Sequence, residues 1–151
     1  MQLTLKRIDY SDLNSRQKEN YNFHKISAVL ADFGYTLMRL SDDWNGADFL
    51  APHIDGETIL RVQLKGRLTF QKSYKDLDLW IAFPDGDSWY LYPHDQLLQN
   101  IMDETDLLSA QGSWELPFVV GSSPTDGADS IQGPTQRLVA LFFLLGLMVS
   151  V

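Results

Sequence analysis

The sequence predicts an α/β domain built in layers. Two capped helical segments frame five strand-like runs, in the order helix, three strands, linker, two strands, helix. A sheet made from those runs needs cover on both faces, and helices packed against it supply that cover. Composition agrees: the 151 residues are 44% hydrophobic and include no cysteine, so the chain holds enough apolar material for a core without disulfides.

The elements follow in chain order. Asn14 stands where an N-cap belongs, and Gln17 completes a capping box with it. A helix is therefore predicted over residues 15–33, ending at Gly34 as a C′ residue, with Phe23, Ile26, Leu30 and Phe33 as its apolar stripe. A strand is predicted over 35–40, followed by SDDWNG as a polar loop. The run GADFLAPHIDGETILRVQLKGR, residues 46–67, reads as a hairpin about Asp55-Gly56, a two-residue type I′ turn signal. LTFQKSYKD is a polar link to a strand at 77–83; PDGD turns the chain, and SWYLYP is the last strand, closed by Pro93. Asp95 is placed as the cap of a second helix beginning QLLQNIM.

The predicted domain covers residues 1–105, with 106–151 as an unassigned extension. Within it, 121–135 is linker-like and 138–151 carries no charge. As a helix that last stretch would rise ~21 Å, short of the ~30 Å hydrocarbon core of a bilayer. A membrane partner is not expected, and a packed C-terminal helix and a chain end without a role both stay open. The N-terminus MQLTLKRIDY has no apolar signal-peptide core. With the absence of cysteine, this gives the expectation of a cytoplasmic protein.

Net charge is −8, which argues against indiscriminate phosphate binding. Its distribution is uneven. Arg61, Lys65, Arg67, Lys72 and Lys75 fall in a stretch without an acid, whereas residues 85–106 hold six acids and no Lys or Arg. The basic strip is either a surface that steers an anion or a solvated strand edge kept soluble by lysines.

The hairpin can be counted. Residues equidistant from the turn centre oppose one another, so Asp48 falls opposite Gln63. Cross-strand Cβ atoms lie about 4.5–5.5 Å apart, close enough for a carboxylate and an amide oxygen to share one cation. Strand parity puts Arg61, Gln63 and Lys65 on one face and Leu60, Val62 and Leu64 on the other. Pro52 is a position where a bulge would shift that register. On the helix, Glu19 lies seven residues before Ile26 and so on the same stripe. It either sits at the exposed N-terminal end of the helix, favoured by the macrodipole, or turns to the cation at Asp48. Oxygen ligands without His or Cys suit Mg²⁺ or Mn²⁺. Such an ion polarises a phosphodiester and activates water, with Lys65 placed to orient the water or to stabilise charge on the phosphate.

With those residues placed, the chain resembles the PD-(D/E)xK, or restriction-endonuclease-like, nuclease superfamily, in the branch with Gln at the second motif position. Asp48 in GAD matches the first acidic position, Gln63-Leu64-Lys65 in VQLKGR matches (D/E/Q)xK, and Glu19 matches the extra acid on the first helix. WYLYPHDQL is similar to the close of the core in small endonucleases of this kind. The resemblance spans about residues 14–101. Ala47 replaces the motif's Pro, and Gln63 leaves the site one negative charge short. The resemblance implies a restriction-endonuclease-like α/β/α core with a mixed sheet. It also implies Mg²⁺-dependent DNA cleavage by Asp48, Gln63, Lys65 and Glu19, and often a homodimer.

Arg67, Lys72 and Tyr74, just beyond the motif lysine, are candidate DNA contacts, with solvated loop residues as the equal alternative. Asp42 and Asp43 read as loop acids. His24, His53 and His94 lack ligand spacing, His94 being read as part of the turn into the last helix. No P-loop, GxGxxG or GxSxG is present. Two functions are carried forward: a metal-dependent DNA endonuclease, and a nuclease-fold module that no longer cuts and binds DNA or a protein partner.

Overall fold

In the computed structural model the structure describes residues 4–104 and 149–151. The first helix, α1 (Ser15–Ala31), starts as its sequence demands. The Asn14 side chain accepts from Gln17 N–H at 2.9 Å, and the Gln17 side chain accepts from Asn14 N–H at 2.9 Å. The C-terminus closes on Gly34 at φ 82°, with Gly34 N–H donating to the Ala31 carbonyl and Tyr35 N–H to the Leu30 carbonyl. That is a Schellman closure, and only glycine holds its left-handed residue without strain. The apolar stripe is shorter than predicted. Ile26 and Leu30 are buried, but Phe33 is half exposed because the chain has already left the helix there.

The strands are β1 (Met38–Trp44), β2 (Ala47–Pro52), β3 (Ile59–Leu64), β4 (Trp80–Asp85), β5 (Ser88–Pro93) and a two-residue β6 (Val149–Ser150). They lie in sequence order in one sheet; β3 and β4 run parallel, and every other neighbouring pair is antiparallel. The predicted α/β class and mixed sheet are met. Strand β1 begins later than expected and runs through the predicted polar loop as far as Trp44. Asn45 and Gly46 then take positive φ, 52° and 81°, between the paired Trp44 and Ala47. This is the two-residue hairpin geometry that Asn-Gly favours. The second helix, α2 (His94–Glu104), begins one residue before Asp95. Asp95 therefore lies in the first turn rather than at the cap, and its Oδ2 accepts from Asp76 N–H at 3.0 Å.

Side-chain alternation sorts the core onto the two sheet faces. Phe49, Ala51, Leu60, Val62, Ala82, Trp89 and Leu91 pack with Ile26 and Leu30 of α1. Ile81, Phe83 and Tyr92 pack on the other side with Leu97 of α2. The segment between β3 and β4, expected as a polar link, contributes to that second face. Its Leu68 and Tyr74 are buried, because a parallel pair needs a crossover and this one lies across the sheet; Leu79 is buried with them, since the strand predicted from 77 begins only at Trp80. Residues 149–151 close the edge beside β5, with Val151 and Trp89 exchanging backbone hydrogen bonds. The remainder of the predicted extension, its linker at 121–135 and most of the apolar stretch, lies outside the described residues. Among the described residues no helix is long and apolar enough to cross a membrane.

Candidate functional site

The hairpin keeps the predicted register by a different turn. Phe49 pairs with Val62, Leu50 with Arg61, Ala51 with Leu60 and Pro52 with Ile59. No bulge arises at Pro52, whose carbonyl accepts from Thr36 N–H at 3.0 Å. The two-residue type I′ turn does not form. Only Gly56 has positive φ, 76°, and the chain reverses through a four-residue loop between His53 and Thr58, joined by a 2.9 Å backbone bond. Asp55 builds that loop. Its Oδ1 accepts from Glu57 N–H and Thr58 N–H, and its Oδ2 from the Thr58 hydroxyl. A short acidic side chain thus offers the backbone an alternative to the ladder. These donors, Thr58 N–H foremost, hold the Asp55 carboxyl well below its ordinary range.

At the other end of β2 the register brings Asp48 to Gln63. Gln63 Nε2 donates to Asp48 Oδ2 at 2.5 Å, and Leu64 N–H donates to the same oxygen at 2.7 Å. In an antiparallel ladder every second pair exchanges backbone bonds, which would send Leu64 N–H to the Ala47 carbonyl. The carboxylate takes that place instead, beyond the last ladder pair Phe49–Val62. Lys65 leaves the hairpin. Its N–H donates to the Ala82 carbonyl at 2.8 Å, and its ammonium stands 5.0 Å from the centre of the Tyr74 ring.

Glu19 is not brought to this pair. Its carboxylate is held by Arg39 of β1, which also bonds the Asn20 side chain and lies 5.4 Å over the Phe23 ring. Arg39 pairs across the sheet with Phe49, which packs edge-on to Phe23. Those contacts put Glu19 on the α1 side, whereas Gln63 alternates with Leu60 and Val62 and faces away from α1. The expected meeting of side chains is therefore seen for Asp48 and Gln63, as a direct hydrogen bond, and not for Glu19. The helix stripe fixed its face correctly, and that face is the wrong one.

The basic strip is partly neutralised: Arg61 pairs with Asp78 at 3.1 Å and Lys75 lies 4.0 Å from Asp76. Arg67 and Lys72 are exposed on the crossover. Tyr74, predicted to contact DNA, is 9% exposed and belongs to the core. Its neighbour is His94, fully buried and edge-on to the Tyr74 ring at 5.7 Å. His94 Nε2 accepts from Gln71 N–H at 3.4 Å, so the ring proton sits on Nδ1 and is donated to Asp95 Oδ1, 3.0 Å away. The sequence carries a signal for this burial. His94, Leu97 and Leu98 recur at helical spacing, which places the histidine on the buried face of α2.

Asp48 and Gln63 offer hard oxygen donors, the chemistry an alkaline-earth ion takes. Among the described residues no three His, Cys, Asp or Glu side chains come together. Leu40, Ser41, Asp42, Trp44 and Leu50 line an open, mostly apolar cleft that includes neither Asp48 nor Gln63. No family model matches the chain, and no curated protein or solved structure does either.

Proposed function

We propose that the protein is a metal-dependent DNA endonuclease with a restriction-endonuclease-like core, acting in the cytoplasm and often as a homodimer. The observation that carries this reading is the Asp48–Gln63 contact with Lys65 two residues further along the same strand exit. Asp48 and Gln63 hold Mg²⁺, or Mn²⁺ in its place, and the ion supplies Lewis-acid polarisation of a phosphodiester and a more acidic water. Gln63 suits both states of such a site. One amide carries a donor for the bare carboxylate and an acceptor for a cation. Lys65 stabilises the charge that develops on the phosphate, and exposed Arg67 and Lys72 meet the flanking backbone of DNA. Glu19, held by Arg39 on the α1 side of the sheet, is not among the ligands of this site.

Cleavage of supercoiled plasmid and of a four-way junction with Mg²⁺ or Mn²⁺ tests the proposal. The wild type is expected to cut, and Lys65→Ala to abolish cutting. Cutting that survives Lys65→Ala would remove Lys65 from the chemistry. One observation favours a second reading, a nuclease-fold module that binds DNA or a protein without cutting it: the Asp48 oxygen is already satisfied by two N–H donors. Calorimetry separates the two. The endonuclease takes up Mn²⁺ and loses that uptake in Asp48→Asn; the binding module shows no such uptake.

A further inference from the structure

The structure assigns to Tyr74 the role of positioning residue for Lys65, an inference that deepens, and rests on, the nuclease reading above. Lys65 is the first residue after β3, at the start of the crossover, where a long and flexible side chain has many rotamers open to it. One face of the Tyr74 ring lies 5.0 Å from its ammonium. A cation within about 6 Å of an aromatic centre is drawn to the ring by its quadrupole, and the contact selects one direction for the chain.

The ring is itself fixed, which separates this contact from a casual surface pair. Tyr74 ends a single 3₁₀ turn, Lys72–Tyr74, and is 9% exposed among Ala47, Leu79 and Tyr92. His94 stands edge-on to it. The histidine is held from both sides, by Gln71 N–H in the crossover and by Asp95 in α2, and Asp95 in turn accepts from Asp76 N–H. Crossover and second helix therefore meet at one buried imidazole, and the ring they clamp carries the lysine. Asp48 and Gln63 owe their placement to the hairpin, whereas Lys65 owes its own to the other half of the fold.

The test uses full-length protein labelled with [ε-¹³C]lysine, with Lys65→Arg serving to assign the Lys65 signal. In the wild type the Lys65 ε-methylene protons are expected upfield of the other lysines, in the shielding cone of the ring. Tyr74→Phe keeps that shift, and Tyr74→Leu loses it. In plasmid cleavage Tyr74→Leu lowers kcat by roughly tenfold to a hundredfold, with KM for DNA within about twofold, and Tyr74→Phe restores kcat. A wild-type Lys65 signal indistinguishable from the other lysines overturns the assignment, and so does one that survives Tyr74→Leu. The wild-type and Tyr74→Phe measurements decide the matter even if Tyr74→Leu fails to fold. A shift that is present and ring-dependent in a protein that cuts nothing upholds the placement of Lys65 and sinks the nuclease reading alone.

Discussion

Strand β2 is bounded by two reversals, Asn45-Gly46 before it and residues 54–57 after it, and they solve one problem differently. The first is a two-residue turn with both residues at positive φ, tucked against the core: a Cβ built on Gly46 would meet Leu79 Cδ1 at 3.0 Å. The second is a four-residue loop in open solvent, tied by Asp55, with nothing within 4 Å of a Cβ on Gly56. Both dipeptides carry the same hairpin signal. The signal marks where the chain reverses, while local side chains and packing decide how. Register survives because the longer loop is centred on the same point as the turn it replaces.

The sharpest way to break this comparison is to add a methyl group on each side. Gly46→Ala is expected to cost about 2 kcal/mol or more, since left-handed backbone is strained for alanine and Leu79 must also move. Gly56→Ala should cost only the backbone part, about 1 kcal/mol. Urea midpoints measure both, and equal losses would mean that the Leu79 contact is immaterial. Gly46→Ala should also disturb Mn²⁺ uptake at Asp48, two residues away, and Gly56→Ala should leave it intact.

A smaller effect separates the turns by pH. The Asp55 carboxyl is held down by Thr58 and Glu57 in the folded state. Its contribution is thus complete above the unfolded carboxyl value of about 4 and is lost as pH falls below it. Protection of the Glu57 and Thr58 amides, taken relative to the intrinsic exchange rate at each pH, should fall below about pH 4 in the wild type, lose that acid dependence in Asp55→Asn, and stay constant at the Asn45-Gly46 turn.

Much of this was legible in the sequence, for reasons that can be named. The capping box at Asn14 and the Asp48–Gln63 opposition depend on neighbours close along the chain, where spacing determines contact. Parity along β3 placed Gln63 and Lys65 correctly against Leu60 and Val62. What failed was tertiary. Glu19 required knowing which sheet face α1 covers relative to Gln63, and Arg39, its partner, lies 20 residues away in sequence. Tyr74 looked like a solvated contact residue because LTFQKSYKD is polar overall, and only the parallel step from β3 to β4 turns that stretch into a core-covering crossover. The polarity of SDDWNG hides the strand that runs to Trp44, although its Asn-Gly carries the same turn signal as Asp55-Gly56.

That parallel step also gives the molecule a clock, written in two adjacent amides. Leu64 N–H is secured by Asp48, within a hairpin whose ends are few residues apart. Lys65 N–H is secured by Ala82, which pairs only after the crossover has closed and its loop entropy has been met. In pulse-labelled refolding Leu64 is therefore expected to gain protection no later than Lys65, and the reverse order would show that the crossover leads. The Asp48–Gln63 pair can then assemble with the local hairpin, while Lys65 comes under Tyr74 only with the long-range closure, so a chain caught between the two holds the pair without its lysine in place.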